Sequence, residues 1–331
     1  MFLQIGLGSM GKRRVRNLLE LQQNQILGFD PREDRRKEAS SLYGIQTVDD
    51  LEKVNWNQIS HLVISTPPDR HLEYVNLAVE KNVPCFIEAS VVDDGYTEVM
   101  KNLPKDLVIA PSCTMRFDPI VAKAKEVLDS GLIGKVLFVN HHFGQYLPHW
   151  HPWEDIKDFY VSKPETGAAR EIVPFDLVYL TWLFGFPKNM TAMKMNSGTL
   201  GVEIDDVYSL IYQVESGPQV CFNIEVVSKE SYRKTIVVGS QGNMEIDNVS
   251  GELRVMQGDK NLMSRYKRSG LSVTRSSEEM YVLEMRKFLN ACKGEETWDF
   301  TLHEDHKILD LLYIAEKAFE TGQIQKVELH D

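Results

Sequence analysis

Residues 1–30 read MFLQIGLGSMGKRRVRNLLELQQNQILGFD. Phe2, Leu3 and Ile5 form a short apolar run, and Gly6-Leu7-Gly8-Ser9-Met10-Gly11 follows without a spacer. A helical pattern begins at once, with Val15, Leu18, Leu19 and Gln22 on one face. A second apolar run, Ile26-Leu27-Gly28-Phe29, ends in Asp30. The order is strand, glycine loop, helix, strand, acidic residue. Gly6 allows the tight turn, Gly8 lets a pyrophosphate approach the backbone, and Gly11 lets helix and strand pack closely. The helix start, with Ser9 and Met10, offers unpaired N–H groups and a partial positive charge to the phosphates. Asp30 lies 19 residues past Gly11, where a carboxylate reaches the hydroxyls of an adenosine ribose. The stretch predicts a nicotinamide dinucleotide site. A tight strand-to-helix turn with no ligand is the competing reading, and three glycines with a correctly spaced acid count against it.

Outward from Asp30, a polar helix is expected over about 32 to 42, carrying Arg32, Arg35 and Arg36. Those arginines suit the 2′-phosphate of NADP, or simply a solvated face, and Arg32 is placed with the cofactor residues. Asp30 repels a 2′-phosphate, so NAD is expected over NADP. Ile59 to Ile64 reads as a third buried strand, ending in Ser65-Thr66-Pro67-Pro68-Asp69-Arg70-His71. Hydroxyl residues followed by prolines stop that strand and start a helix beside the cofactor, over about 69 to 81. Ser65, Thr66, Pro67 and His71 therefore join the cofactor set. A fourth strand, Pro84 to Ile87, ends at Glu88, and a fifth covers Leu107 to Ala110. Strands alternating with helices imply right-handed βαβ units and a parallel sheet, with ligands at the strands' carboxyl ends.

The chain has 331 residues, enough for two domains, and a net charge of −11. That charge argues against nucleic acid or an anionic membrane as partner. Hydrophobic residues make up 43% and charged residues 26%, an ordinary globular balance. Cys85, Cys113, Cys221 and Cys292 lie far apart with no CxxC, so neither a zinc knuckle nor a redox pair is suggested. No apolar run approaches the ~18 residues needed to span a bilayer. The glycine loop starts too early for a signal peptide ahead of it, so the expected home is the reducing cytoplasm.

Five pieces make the chain similar to the Gfo/Idh/MocA oxidoreductases. They are GLGSMG at 6–11, STPPDRH at 65–71, FIEAS at 86–90, MRFDP at 115–119 and TGAAREIVPFDLVYLTWLFG at 166–185. The fold expected is α/β: an N-terminal Rossmann doubly wound parallel sheet over 1–118, then a C-terminal α+β domain over 119–331 with a largely antiparallel open sheet. In the second domain, Pro119 to Ser130 reads as an amphipathic helix, and 206–214, 219–227 and 232–238 have strand character. Turns are expected at 216–218 and 240–243, helices near 276–291 and 302–321, and a polar loop from Gln257 to Gly270. The resemblance implies that the sheet builds a homodimer or homotetramer.

The chain departs from that family at its chemistry. The resemblance implies a Glu-Lys-Pro turn after the fourth strand, whose lysine polarises or protonates the reacting oxygen. Here the turn is Glu88-Ala89-Ser90, and Ala89 can neither donate a proton nor carry charge. The family's second segment resembles G-G-x-L-x-D-x-G-x-H-x-x-D before a helix ending W-L-x-G. Aligned on Trp182 to Gly185, Glu171 falls on the first aspartate, Phe175 on the catalytic histidine and Val178 on the last aspartate.

Other residues are candidates for the missing roles. His141, His142 and Tyr146 end one strand, and the next loop reads His149-Trp150-His151-Pro152-Trp153-Glu154-Asp155. The resemblance implies that such loops face the nicotinamide. Rings beside hydrogen-bonding groups suit a sugar, with its apolar faces and hydroxyl edges. His151 or His149 is the expected general base, Glu171 orients it or the substrate, and Tyr146 hydrogen-bonds. Trp150, Trp153, Arg170 and Arg116 are the expected substrate contacts, Arg116 for a carboxylate or phosphate or as a bridge between domains. The clustered histidines also suit a metal, but the resemblance implies none and none is expected. The functional reading is an NAD(P)-dependent oxidoreductase acting on a hydroxyl of a sugar, nucleotide-sugar or polyol. An NAD-binding sensor without dehydrogenase activity, or an NAD-dependent lyase or glycosidase with transient oxidation, remains open beside it.

Overall fold

The computed structural model describes residues 1–215, 217–258, 262–268 and 273–330. Two compact units emerge: Met1–Thr114 with Glu279–His306, and Met115–Glu278 with Lys307–Asp331.

In chain order the first unit holds β1 (Phe2–Ile5), α1 (Ser9–Glu20), β2 (Ile26–Phe29), α2 (Glu33–Tyr43) and β3 (Gln46–Val48). It continues with β4 (His61–Ile64), α3 (His71–Lys81), β5 (Cys85–Ile87), α4 (Tyr96–Lys101) and β6 (Ile109–Pro111). The six strands lie in the order β3-β2-β1-β4-β5-β6, every neighbouring pair parallel. Leu3, Ile5, Leu62, Val63, Ile64, Phe86 and Ile87 are fully buried, as strands covered on both faces require. The chain starts at the sheet's centre, moves to one edge through β2 and β3, and returns at β4 to fill the other side. That reversal opens a crevice at the carboxyl ends of β1 and β4. β3 escapes the sequence reading because it is three residues long and partly exposed at the edge.

The second unit opens with α5 (Pro119–Asp129), β7 (Val136–Tyr146), α6 (Ala168–Phe184), β8 (Pro187–Met195) and β9 (Val207–Val214). Next come β10 (Gln219–Glu225), β11 (Val227–Gly239), β12 (Gly242–Asp247), β13 (Glu252–Gln257) and β14 (Leu262–Lys267). α7 (Val273–Cys292) and α8 (Leu302–Thr321) follow, with residues 279–306 belonging to the first unit, and the short β15 (Gln325–Lys326) ends the second. Nine strands form one sheet, β14-β13-β12-β11-β7-β10-β9-β8-β15. All pairs are antiparallel except β10 with β7. The two-residue period is plain in β9, where Tyr208, Leu210, Tyr212 and Val214 are buried while Ile211 is exposed. The polar loop expected from Gln257 to Gly270 is instead largely strand: β13 reaches Gln257 and β14 covers Leu262–Lys267. Charged side chains on an exposed sheet face hid its period. Residues 259–261, 269 and 270 of that loop, and Ser216 of the expected turn, lie outside the described residues. Pro174 sits inside α6, in its second turn, and Glu171 in its first.

Candidate functional site

The glycine loop leaves β1 with Gly6 at φ +86°, a conformation glycine adopts without strain. A Cβ on Gly6 would press on the Ser65 carbonyl, and one on Gly11 would overlap the Gly6 carbonyl oxygen. Gly8 differs: a Cβ there would meet only the end of the Arg35 side chain, at 3.5 Å. Gly8 is also the N-cap of α1, and no side chain caps that helix. Its first-turn N–H groups therefore lack the usual side-chain acceptor. Beside the loop, Thr66 Oγ1 and His71 Nδ1 are buried without a hydrogen-bond partner among the described residues. Orphaned polar atoms of this kind call for a ligand or water. The loop, closed below by Gly6 and Gly11 and open over Gly8, fits a dinucleotide pyrophosphate. Gly11→Ala is expected to cost about 1–3 kcal/mol by overpacking and to weaken NAD binding at least about tenfold, read by urea denaturation and by fluorescence titration.

Asp30 is buried. Its carboxylate accepts the Leu7 N–H at 2.8 Å and the Arg32 N–H at 2.9 Å. It thus pins the glycine loop to the end of β2. Arg35 Nη1 stands 3.8 Å from that carboxylate. The Arg32 guanidinium pairs with Asp34 at the surface, at 2.6 Å. Arg35 is the arginine whose guanidinium stands over Gly8.

Behind the loop lies a buried ion cluster. Arg14 is fully buried on α1 and forks onto Glu88, Nε to Oε1 at 2.6 Å and Nη2 to Oε2 at 2.9 Å. Its Nη2 also reaches Glu284 of α7 at 2.9 Å. Glu284 accepts the Ser112 hydroxyl (3.0 Å), the Cys113 N–H (2.7 Å) and the Thr114 hydroxyl (2.7 Å). Ser65 donates to Glu88 at 3.2 Å. The guanidinium stacks on Phe86 at 4.4 Å and faces Tyr281 at 5.1 Å. Burial pulls the Arg14 pKa down, but Glu88 and Glu284 outweigh it and hold it above the ordinary value. Burial pushes Glu284 up, against the pull of Arg14. Ala89, next to Glu88, contributes only backbone. A signal for the cluster exists in the sequence: Gly11, Arg14, Val15 and Leu18 form the buried stripe of α1, and an arginine on such a stripe needs buried carboxylates.

In the second unit, the partner seen for Glu171 is Tyr160. Glu171 accepts the Tyr160 hydroxyl, at 2.9 and 3.0 Å to its two oxygens. Tyr160 packs edge-on to Phe159 (4.5 Å), Phe159 stacks on His151 (4.2 Å), and His151 stacks on Trp153 (5.2 Å). His151 and Glu171 are thus joined through two aromatic rings, and His151 Nδ1 stands 3.4 Å from the Glu154 carboxylate. Trp153 is 74% exposed. Trp150 is half-buried, its indole Nε1 without a partner among the described residues. Tyr146 has His149 edge-on at 4.9 Å and the Lys229 ammonium over its ring at 3.0 Å. Arg170 is committed to Glu316, at 2.7 and 3.1 Å, and to the Glu165 carbonyl at 2.6 Å. Arg116 donates to the Val178 carbonyl at 3.1 and 3.2 Å. Phe175 lies under the Arg233 guanidinium (5.4 Å), which Phe143 flanks from β7 (4.5 Å). Arg233 pairs with Asp176 at 3.3 Å, and Asp176 with the buried His141 at 2.9 Å. Tyr160 was missed because no motif spacing ties it to Glu171; only its residue type, and its place just ahead of α6, point to it.

Residues 121–245 match the model of the GFO/IDH/MocA C-terminal domain. The chain is 26% identical over 225 residues to the uncharacterized oxidoreductase YhhX of Escherichia coli K12, covering 64% of this chain and 60% of YhhX. It is 24% identical to the myo-inositol 2-dehydrogenase of Thermotoga maritima, covering 98% of this chain and 97% of that one. Its fold matches a levoglucosan dehydrogenase in complex with NADH at a TM-score of 0.87, with 14% identity over 99% of both chains. Residues 121–245 of the second unit are thus similar to the GFO/IDH/MocA C-terminal domain, and the chain as a whole is similar to oxidoreductases in sequence and to a dehydrogenase in fold.

Proposed function

We propose that the protein is an NAD-dependent dehydrogenase acting on a hydroxyl of a sugar or polyol. The observation that carries this reading is the glycine cradle: a Cβ at Gly6 or Gly11 would clash with the backbone that closes it, while the space over Gly8 stays open. Gly6, Gly8, Ser9, Met10 and Gly11 would hold the pyrophosphate, with Asp30 and Arg35 on the ribose side. Ser65, Thr66, Pro67, His71, Glu88 and the Ala89 backbone would line the path along the strand ends. The bound dinucleotide supplies the hydride acceptor; the chain supplies orientation and proton handling. Asp30 supports NAD over NADP, because a 2′-phosphate near a buried carboxylate is repelled.

Proton handling falls to the second unit, because Ala89 and Phe175 carry no proton. Glu171, bonded to Tyr160, takes the substrate hydroxyl proton directly or through the tyrosine. His151 and Trp153 present a ring surface for the sugar face, with His149 and Trp150 on the same loop and Tyr146 at the end of β7 just before it. Arg170 and Arg116 hold that scaffold in place. The open sheet face exposes Met193, Met195, Ile211, Ile236, Met256 and Met263, an apolar row that suits a second copy of the chain. Four free cysteines suit a reducing cytoplasm.

The test follows absorbance of NADH while NAD+ and the chain meet myo-inositol, levoglucosan and a panel of aldoses and uronates. Steady NADH formation with any of them supports the reading. Tight NAD+ binding with no NADH formed would favour the sensor reading, which the absent lysine and histidine motivate. Product without net NADH would favour a lyase or glycosidase cycle.

A further inference from the structure

The first unit's floor carries an uneven charge. Arg14 brings one positive charge, and Glu88 and Glu284 bring two negative ones. Arg14 and Glu284 have fully buried side chains, and Glu88 exposes 13%. Glu284 takes hydrogen bonds from two hydroxyls, one backbone N–H and the Arg14 guanidinium, a donor set that only an ionised carboxylate satisfies in full. Arg14 Nη1 is buried and has no acceptor among the described residues; Arg13 approaches the same Tyr281 ring, at 4.6 Å, and the ion pairs of the cluster itself set one guanidinium against two carboxylates. The elements that converge here follow the carboxyl ends of their strands: Ser65 after β4, Glu88 after β5, and Ser112 to Thr114 after β6. That is the edge along which a dinucleotide anchored at the glycine loop extends toward its redox-active ring.

We propose that the Glu88–Arg14–Glu284 cluster is an electrostatic bias on the bound dinucleotide, favouring the cationic nicotinamide of NAD+ over the neutral ring of NADH. This rests on the reading of the first unit as an NAD site. The physics is a difference between two ligands of nearly one shape. Contacts to adenosine, ribose and phosphates are common to both and cancel in the ratio of their affinities. A negative charge fixed in low dielectric does not cancel, because the ring's charge changes by one unit on reduction. Glu284 acts through Arg14 and Glu88 and is a positioning residue: withdrawing its charge leaves Arg14 fully neutralised by Glu88 and the floor without net charge. A purely structural role would weaken both ligands together.

The experiment measures dissociation constants of NAD+ and NADH by calorimetry for the wild type, Glu284→Gln, Glu284→Asp and Glu88→Gln, with a melting curve for each. The expected result is that Glu284→Gln lowers the ratio Kd(NADH)/Kd(NAD+) by about 3- to 10-fold, mainly by weakening NAD+, while Glu284→Asp keeps the wild-type ratio. Should Glu284→Gln not fold, Glu88→Gln removes one charge from the partly exposed side and is expected to move the ratio in the same direction. An unchanged ratio in a folded, charge-removed variant overturns the proposal and leaves the NAD reading intact. A wild type that binds neither form overturns both.

Discussion

Arg14→Met is expected to destabilise the first unit by about 3–5 kcal/mol, the usual consequence of removing one partner from a buried ion cluster. Methionine fills similar volume against Phe86 and Tyr281, so packing changes little. What changes is the electrostatics: Glu88 and Glu284 face each other around the vacated position with no cation. The folded-state pKa of Glu284, already raised, then rises further above its unfolded value. A carboxyl raised in this way contributes stability that is full below its unfolded pKa and is lost as pH rises through its folded pKa. Glu284 is already raised by burial in the wild type, with Arg14 opposing, so removing Arg14 extends an existing trend. The deficit in urea midpoint should be largest near pH 8 and should shrink as pH falls and Glu284 takes up its proton. A deficit equal at both pH values would mean that Arg14 matters only through its stacking.

That cluster also marks where sequence reading succeeds and stops. The glycine loop was legible because each glycine answers a local steric need, and Gly6 and Gly11 answer it in the structure. Asp30 was placed correctly at the end of β2, but its bond to the Leu7 N–H was not legible, since loop closure is a tertiary contact. Glu284 lies 170 residues from Thr114, and residues 279–306 return to the first unit, something a linear boundary after residue 118 has no means to express. Parallel strands announced themselves as apolar runs. The strands β12, β13 and β14 did not, because one face carries the cross-strand charge pairs Lys234–Asp247, Arg254–Glu245 and Arg265–Glu252 rather than a clean apolar alternation. In the second unit the loop from His149 to Trp153 was found by its residue types. Its pairing was not: the rings of Phe159 and Tyr160 separate His151 from Glu171, and no periodicity fixes contacts inside an irregular loop.

The largest catalytic effect should therefore fall on the Tyr160–Glu171 pair and not on the histidines. With a verified substrate, Glu171→Gln is expected to lower kcat by about 10²–10⁴-fold, the range for loss of a general base. Glutamine keeps the shape and an oxygen to accept the tyrosine hydroxyl at its 2.9 Å position, so a fall in kcat with KM nearly unchanged reports proton transfer rather than binding. Tyr160→Phe removes the donor while keeping the ring against Phe159. If the two residues act as a unit, the double variant loses little more than Glu171→Gln alone, because effects within one proton-handling pair do not add. His151→Gln, by contrast, removes a ring that stacks on Trp153 and Phe159 and should raise KM more than it lowers kcat. The opposite pattern, with turnover abolished by His151→Gln and retained by Glu171→Gln, would return the base to the histidine and reduce the tyrosine–glutamate pair to a helix-start brace. The pH profile separates the two cases as well: a carboxylate base gives a rate that climbs with pH and levels off once it is ionised, and that limb should disappear in Glu171→Gln while surviving in His151→Gln.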